Sequence, residues 1–333
     1  MGGQTAKAAP PSPVLEKPWR EINWRFEFGC NVSFLISKKQ DALDYVNNYK
    51  PYIKDQQLRI LLHGAVGAGK SSFINSVQSV LRGRMCTEAL TDTNSKDCFT
   101  KEYTTYKIQK GSPETFYPFV LNDIMGLSKD KGVLVDDIKL AFKGHVMDDY
   151  KFNPESKLSV DDPFYNEAPT ANDRVHLLVC VVPADKLPCM SDEVKKKIRD
   201  VRVEASRLGR VTQSQKYNKC GVRVPTKIFL TDMIQKMQNR GIPQVAVLTK
   251  VDLACPEVGK DLKNVYRSKY LKEMMEQFSS DVGIPVNCIF PVKNYHEKIN
   301  FNDDVDSLIL SALKHIIDFG DDFINRRIHN VYH

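Results

Sequence analysis

The residues with the clearest chemical potential are Gly64–Ala65–Val66–Gly67–Ala68–Gly69–Lys70–Ser71–Ser72. Gly64 and Gly69 let the backbone turn tightly with its N–H groups pointing inward at phosphate oxygens. Lys70 brings a point charge to the β- and γ-phosphates, and the Ser71 hydroxyl is a hard-oxygen ligand for Mg²⁺. The helix that opens beside Ser72 adds its positive end. The spacing G-x4-G-K-S arises by chance in about 1% of chains of this length, so a phosphate-binding loop is expected.

Two further groups narrow the ligand. Asp123 ends an apolar run, and Gly126 follows three residues later. There a carboxylate can hold the Mg²⁺ shell through water, while the glycine N–H approaches a γ-phosphate. Thr249–Lys250–Val251–Asp252 ends another apolar run and differs by one residue from the N-K-x-D pattern. A carboxylate at Asp252 can accept both N–H donors on one edge of guanine, a pair that adenine lacks, and Lys250 can lie over the base. Val292 and Lys293, before Asn294–Tyr295, occupy the place of a last base-contacting loop. GTP or GDP with Mg²⁺ is therefore the expected cofactor, with Ser71 and Asp123 at the metal. Thr91, Thr93, Thr100, Thr104 and Thr105 are all candidates to complete the metal shell, and the sequence does not choose among them. Leu127 stands where many small GTPases place a water-orienting Gln, so slow turnover is expected.

Elements must hold these groups at one edge. Apolar runs at Leu58–His63, Tyr103–Gln109, Tyr117–Asp123, Val175–Val182, Gln244–Thr249 and Pro285–Val292 read as strands alternating with amphipathic helices. The expected fold is α/β: a P-loop NTPase of the Ras-like G-domain kind, with a mostly parallel six-stranded sheet flanked by helices. Helices are expected at Ser71–Leu81, Val133–Val146, Val194–Leu208, Phe229–Asn239 and Asp304–Asp318. A shorter one, capped by Ser37, should span Ser37–Asn48. The domain should cover residues 57–320, with 128–173 and 186–241 as inserted or extended segments. Flanking it are a flexible tail at 1–17, an arm and helix at 18–56, and a C-terminal tail at 321–333. Residues 128–173 read as a long surface excursion. Docking onto the domain is the expected fate of Trp19 and Trp24.

Composition agrees with a globular chain: 333 residues, 42% apolar, 27% charged and a net charge of +7. No dense Lys/Arg block interleaved with aromatics appears, so nucleic acid is not an expected partner. None of the 8 cysteines forms a C-x2-C pair or a zinc-type cluster, and Cys180 reads as core. Without a signal peptide or a long apolar span, a cytoplasmic protein with reduced thiols is expected, with no membrane partner. Met1–Gly2 lacks the Ser or Thr that a myristoylation motif wants, since Ala6 stands there.

With its landmarks placed, the chain resembles the interferon-induced protein 44 family. The resemblance rests on Pro18–Trp19–Arg20, Gly64–Phe73, Pro118–Phe119 before Asp123–Leu127, Lys143–Gly144–His145, Thr249–Asp252 and Val292–Tyr295, from about residue 18 onward. Members often carry an N-terminal TLDc domain, and the form without it is the expected one here. The resemblance implies cytoplasmic guanine-nucleotide binding and a role in interferon-driven antiviral defence. Self-association or a protein partner is expected beside the guanine nucleotide; a non-hydrolysing scaffold and an ATP-dependent kinase or ATPase are the competing readings, the last opposed by Asp252.

Overall fold

The central strands are apolar on both faces, as parallel strands covered on both sides must be. In the computed structural model, which describes residues 14–20, 33–89, 101–208, 241–296 and 300–329, six strands form one sheet. These are β1 (Leu58–Gly64), β2 (Thr104–Gln109), β3 (Phe116–Asp123), β4 (Leu177–Pro183), β5 (Gln244–Thr249) and β6 (Ile289–Pro291), in the order β2-β3-β1-β4-β5-β6. Every pairing is parallel except β2 with β3. This is the expected mostly parallel α/β sheet of a P-loop, GTPase-like fold.

Helices cover both faces. Helices α1 (Ser33–Asn48), α2 (Lys70–Arg82) and α8 (Asp303–His329) lie on the face lined by Ile60, Leu62, Val179 and Val247. On the other face, lined by Leu61, Leu178, Ala246 and Leu248, lie α3 (Val135–Lys143), α4 (Asp192–Arg207) and α7 (Lys269–Val282). Two short turns of helix, α5 (Val251–Ala254) and α6 (Pro256–Lys260), follow β5.

Several boundaries differ from the sequence reading. Helix α1 begins at Ser33 rather than at a Ser37 cap. Strand β6 keeps only three residues of Pro285–Val292, because Pro285 caps a 3-10 turn at Val286–Cys288. Helix α8 runs past Asp318 to His329, so residues 321–329 are helix rather than tail. Its apolar stripe continues through buried Phe323 and Ile324. The 128–173 segment is no loose excursion. Tyr150, Phe152 and Leu158 are buried in the same cluster as Phe142 and Val146, and His145 stacks on Tyr165 at 5.0 Å. Asp137 ties it down, its Oδ1 accepting from the Leu158 amide at 2.8 Å.

Trp19 docks as expected. Its ring meets Tyr266 edge-on at 5.6 Å, its amide donates to the Tyr266 carbonyl, and Arg20 donates to the carbonyls of Ile289 and Val286. Trp24 and the helix expected at Phe229–Asn239 lie outside the described residues.

Candidate nucleotide-binding site

Parallel strands pointing one way deliver their C-terminal ends to one edge, where open α/β sheets bind ligands. The ends of β1, β3, β5 and β6 carry, in turn, the glycine loop, Asp123, Thr249–Asp252 and Val292–Lys293. All the candidate residues therefore share that edge.

The glycine loop leaves β1 at Gly64, with φ 144°, where a Cβ would sit 1.9 Å from the Val181 carbonyl oxygen. Only glycine fits beside β4 there. Lys70 starts α2 and is buried, as is Ser71. The Ser71 hydroxyl donates to Asp123 Oδ2 at 2.5 Å, which joins the two expected metal ligands across adjacent strand ends. The other carboxylate oxygen of Asp123 accepts from the Ile124 amide at 3.0 Å. This pair of hard oxygens suits magnesium, with phosphate and water oxygens to fill the remaining positions. Among the described residues, no cluster of three or more His, Cys, Asp or Glu side chains could hold a metal alone.

Behind Lys70, the buried His63 ring is pushed down to about 3, first by burial and then by the Lys70 charge. Burial pushes the Cys180 thiol, opposite His63 on β4, up to about 12. His63 and Cys180, both close enough to feel the Lys70 charge, are therefore neutral near pH 7.

The segment after Asp123 is sewn to the glycine loop. The Leu127 amide donates to the Gly64 carbonyl at 2.8 Å, and the Val66 amide donates to the Leu127 carbonyl at 3.0 Å. A Cβ on Gly126 would come within 2.8 Å of Val66 Cα. Leu127 itself is 1% exposed, so its side chain points into the core rather than toward a ligand. The Val66 amide is committed to this bridge and is not aimed at phosphate. The Lys197 ammonium on α4 donates to the Ser128 carbonyl at 2.7 Å and fixes the far side of the segment.

At the base end, the structure separates residues that the sequence grouped together. Thr249 is fully buried, and its hydroxyl donates to the Ala68 carbonyl at 2.6 Å, tying β5 to the glycine loop. Asp252 instead reaches the surface of the site and pairs with Lys293 at 2.8 Å. Lys250 takes a left-handed conformation, φ 57°, which turns the chain from β5 into α5. Asn294 is the residue the sequence reading did not single out. Its amide donates to the Gly69 carbonyl at 3.1 Å, while its buried Oδ1 meets no donor among the described residues. Its place between Lys293 and Tyr295 was visible, but its reach across to Gly69 is a tertiary fact.

Two of the five candidate threonines are described, and the structure occupies both. Thr105 donates to Asp148 at 2.6 Å and accepts from Asn122 at 2.6 Å. Thr104 lies beside Tyr106 on β2, and the hydroxyl of Tyr106 is pushed up to about 12 by burial and then by Asp123. Thr91, Thr93 and Thr100 lie outside the described residues. Among those residues, no helix is long and apolar enough to cross a membrane.

No protein-family model matches the chain. Among solved structures, Toc33 from Arabidopsis thaliana in complex with GDP and Mg²⁺ aligns over 86% of this chain and 95% of that one, at 13% identity and a TM-score of 0.43. A dimerization-deficient mutant of Toc33 aligns at 12% identity, a TM-score of 0.41, and 86% and 92% coverage. Scores this low leave the fold assignment resting on the chain's own sheet order and loop. Sequence relatives are nearer. Interferon-induced protein 44 from Homo sapiens is 31% identical over 295 residues, covering 88% of this chain and 59% of the relative. Interferon-induced protein 44-like from Homo sapiens is 30% identical over 283 residues, covering 84% and 55%. The chain thus spans somewhat over half the length of the curated relatives it matches. Along that span, it belongs to the interferon-induced protein 44 family.

Proposed function

We propose that the chain is a magnesium-dependent guanine-nucleotide-binding protein, hydrolysing GTP slowly, that acts in the cytoplasm in interferon-driven antiviral defence. The observation that carries the nucleotide reading is the meeting of Lys70, Ser71 and Asp123 at one sheet edge with Asp252 two strands further along. Ser71 and Asp123 would hold magnesium, which supplies charge neutralisation for phosphates, and Lys70 balances the rest. Asp252, steadied by Lys293, would accept from the guanine edge, while Thr249 and Asn294 hold the glycine loop in register with it. Interferon induction enters from the name of the relatives.

Isothermal calorimetry with GTP, GDP and ATP tests this reading. Wild type should bind both guanine nucleotides and discriminate against ATP. Asp252→Asn should lose roughly 10- to 100-fold in GTP affinity, the scale of hydrogen bonds to a charged group. Equal GTP and ATP affinities in wild type would rule out the base assignment. Lys70→Ala should abolish binding of all three.

The buried Leu127 favours a second reading, a scaffold that keeps its nucleotide intact. Phosphate release from GTP, with Lys70→Ala as control, separates the two.

A further inference from the structure

A helix that contributes no residue to the nucleotide site is linked to it by a chain of side chains. Lys39 on α1 reaches Asp303 at 2.7 Å and Asp306 at 2.7 Å at the start of α8. Asp306 is 2% exposed, and its second carboxylate oxygen accepts from the Tyr295 phenol at 2.6 Å. The phenol oxygen in turn accepts from the Asn302 amide at 2.8 Å, and the Tyr295 amide donates to Ser76 Oγ on α2 at 2.9 Å. Burial, then Asp306, pushes the Tyr295 phenol well above its ordinary range, so it remains a donor. Immediately before Tyr295 stand Asn294, bonded to Gly69, and Lys293, paired with Asp252.

This chain matters because, among the described residues, the backbone-to-backbone ties of the base loop end at Val292, whose amide donates to the Leu248 carbonyl at 2.8 Å. Strand β6 is three residues long, and residues 292–296 follow it without regular structure. Side-chain ties therefore set the position of Lys293 and Asn294, and Tyr295 is the tie that leads away from the site.

We propose that Lys39, Asp306 and Tyr295 are positioning residues through which α1 sets how long the site retains its guanine nucleotide, a proposal that rests on the guanine reading above. Without Lys39, the buried Asp306 loses its cation, its grip on Tyr295 loosens, and the base loop opens more often. Phosphate contacts are untouched, so release quickens for GDP and GTP alike. Helix α1 stays docked in such a variant. Tyr45 still donates to Asp318 at 2.5 Å and Tyr49 to Asp321 at 3.0 Å, with Ala42 and Val46 buried beneath them.

The test compares the full chain with Lys39→Ala, Lys39→Arg, Tyr295→Phe and the Lys39→Ala/Tyr295→Phe double variant. Two readouts are used: hydrogen exchange across residues 292–296 without nucleotide, and release of fluorescent mant-GDP chased by GDP. Lys39→Ala and Tyr295→Phe should each raise exchange and speed release about fivefold, the upper range for a partly exposed ion pair. The double variant should release no faster than the quicker single one, because both changes break one path. Lys39→Arg should restore near-wild-type release, which a general loss of stability would not do. Unchanged release, with mant-GDP bound normally by wild type, overturns the brace and leaves the site reading standing. If wild type binds no mant-GDP while exchange still responds, the site reading fails and takes the proposed control of retention with it.

Discussion

His63 and Leu127 show how much a single side chain decides here. His63 stays neutral in the folded chain down to about pH 3, whereas unfolded it gains a proton near pH 6.5. Above pH 6.5 both states are neutral, and protonation of the ring has no effect on stability. As pH falls below 6.5, only the unfolded state takes the proton, so stability drops by about 1.4 kcal/mol per unit until pH 3. Denaturant titrations at pH 7 and pH 5 should therefore show wild type losing about 2 kcal/mol more than His63→Leu. An equal loss in the two proteins would mean that the folded ring is already charged or solvated. Leu127 makes the opposite point. Replacing it with Gln would not restore a water-orienting group, because the position is buried and its backbone is bridged to Gly64 and Val66. Leu127→Gln should lower stability by about 2 kcal/mol without raising phosphate release. A clear rise in phosphate release would show that the side chain can reach the ligand after all.

At the level of elements, the unit that matters most is β1, the glycine loop and α2. Its strand and helix were legible because apolar runs and glycine spacing are local. The turn also depends on something the sequence does not display, the Val181 carbonyl that fills the space beside Gly64. Gly64→Ala should cost more than about 3 kcal/mol or abolish folding, since both the clash and the φ of 144° oppose it. A soluble variant with wild-type thermal stability would contradict that packing. The same contrast explains the misread boundaries. Periodicity gave α8 its beginning, but Phe323 and Ile324 lie beyond three charged or small residues that resemble an end. Beyond α3, residues 144–173 lack periodicity because their buried aromatics are spaced by turns rather than by a helix or strand repeat. Thr249 looks like a base contact in the sequence, whereas its hydrogen bond to Ala68 assigns it to the loop instead, and Asn294 joins it there through Gly69.

In the whole molecule, the two sheet faces are closed in different ways. One face is sealed by α3, α4 and α7, which are connected through the middle of the chain. The other depends on α1 meeting α8, elements 255 residues apart at their nearest ends, from Asn48 to Asp303. Contacts of such long range are costly to form early in folding. During synthesis, the face lined by Ile60, Val179 and Val247 therefore keeps only the partial cover of α1 and α2 until α8 has left the ribosome. A nascent chain stalled before Asp303 presents that apolar face to the cell. It should be held by chaperones or aggregate, whereas one released after His329 can seal itself.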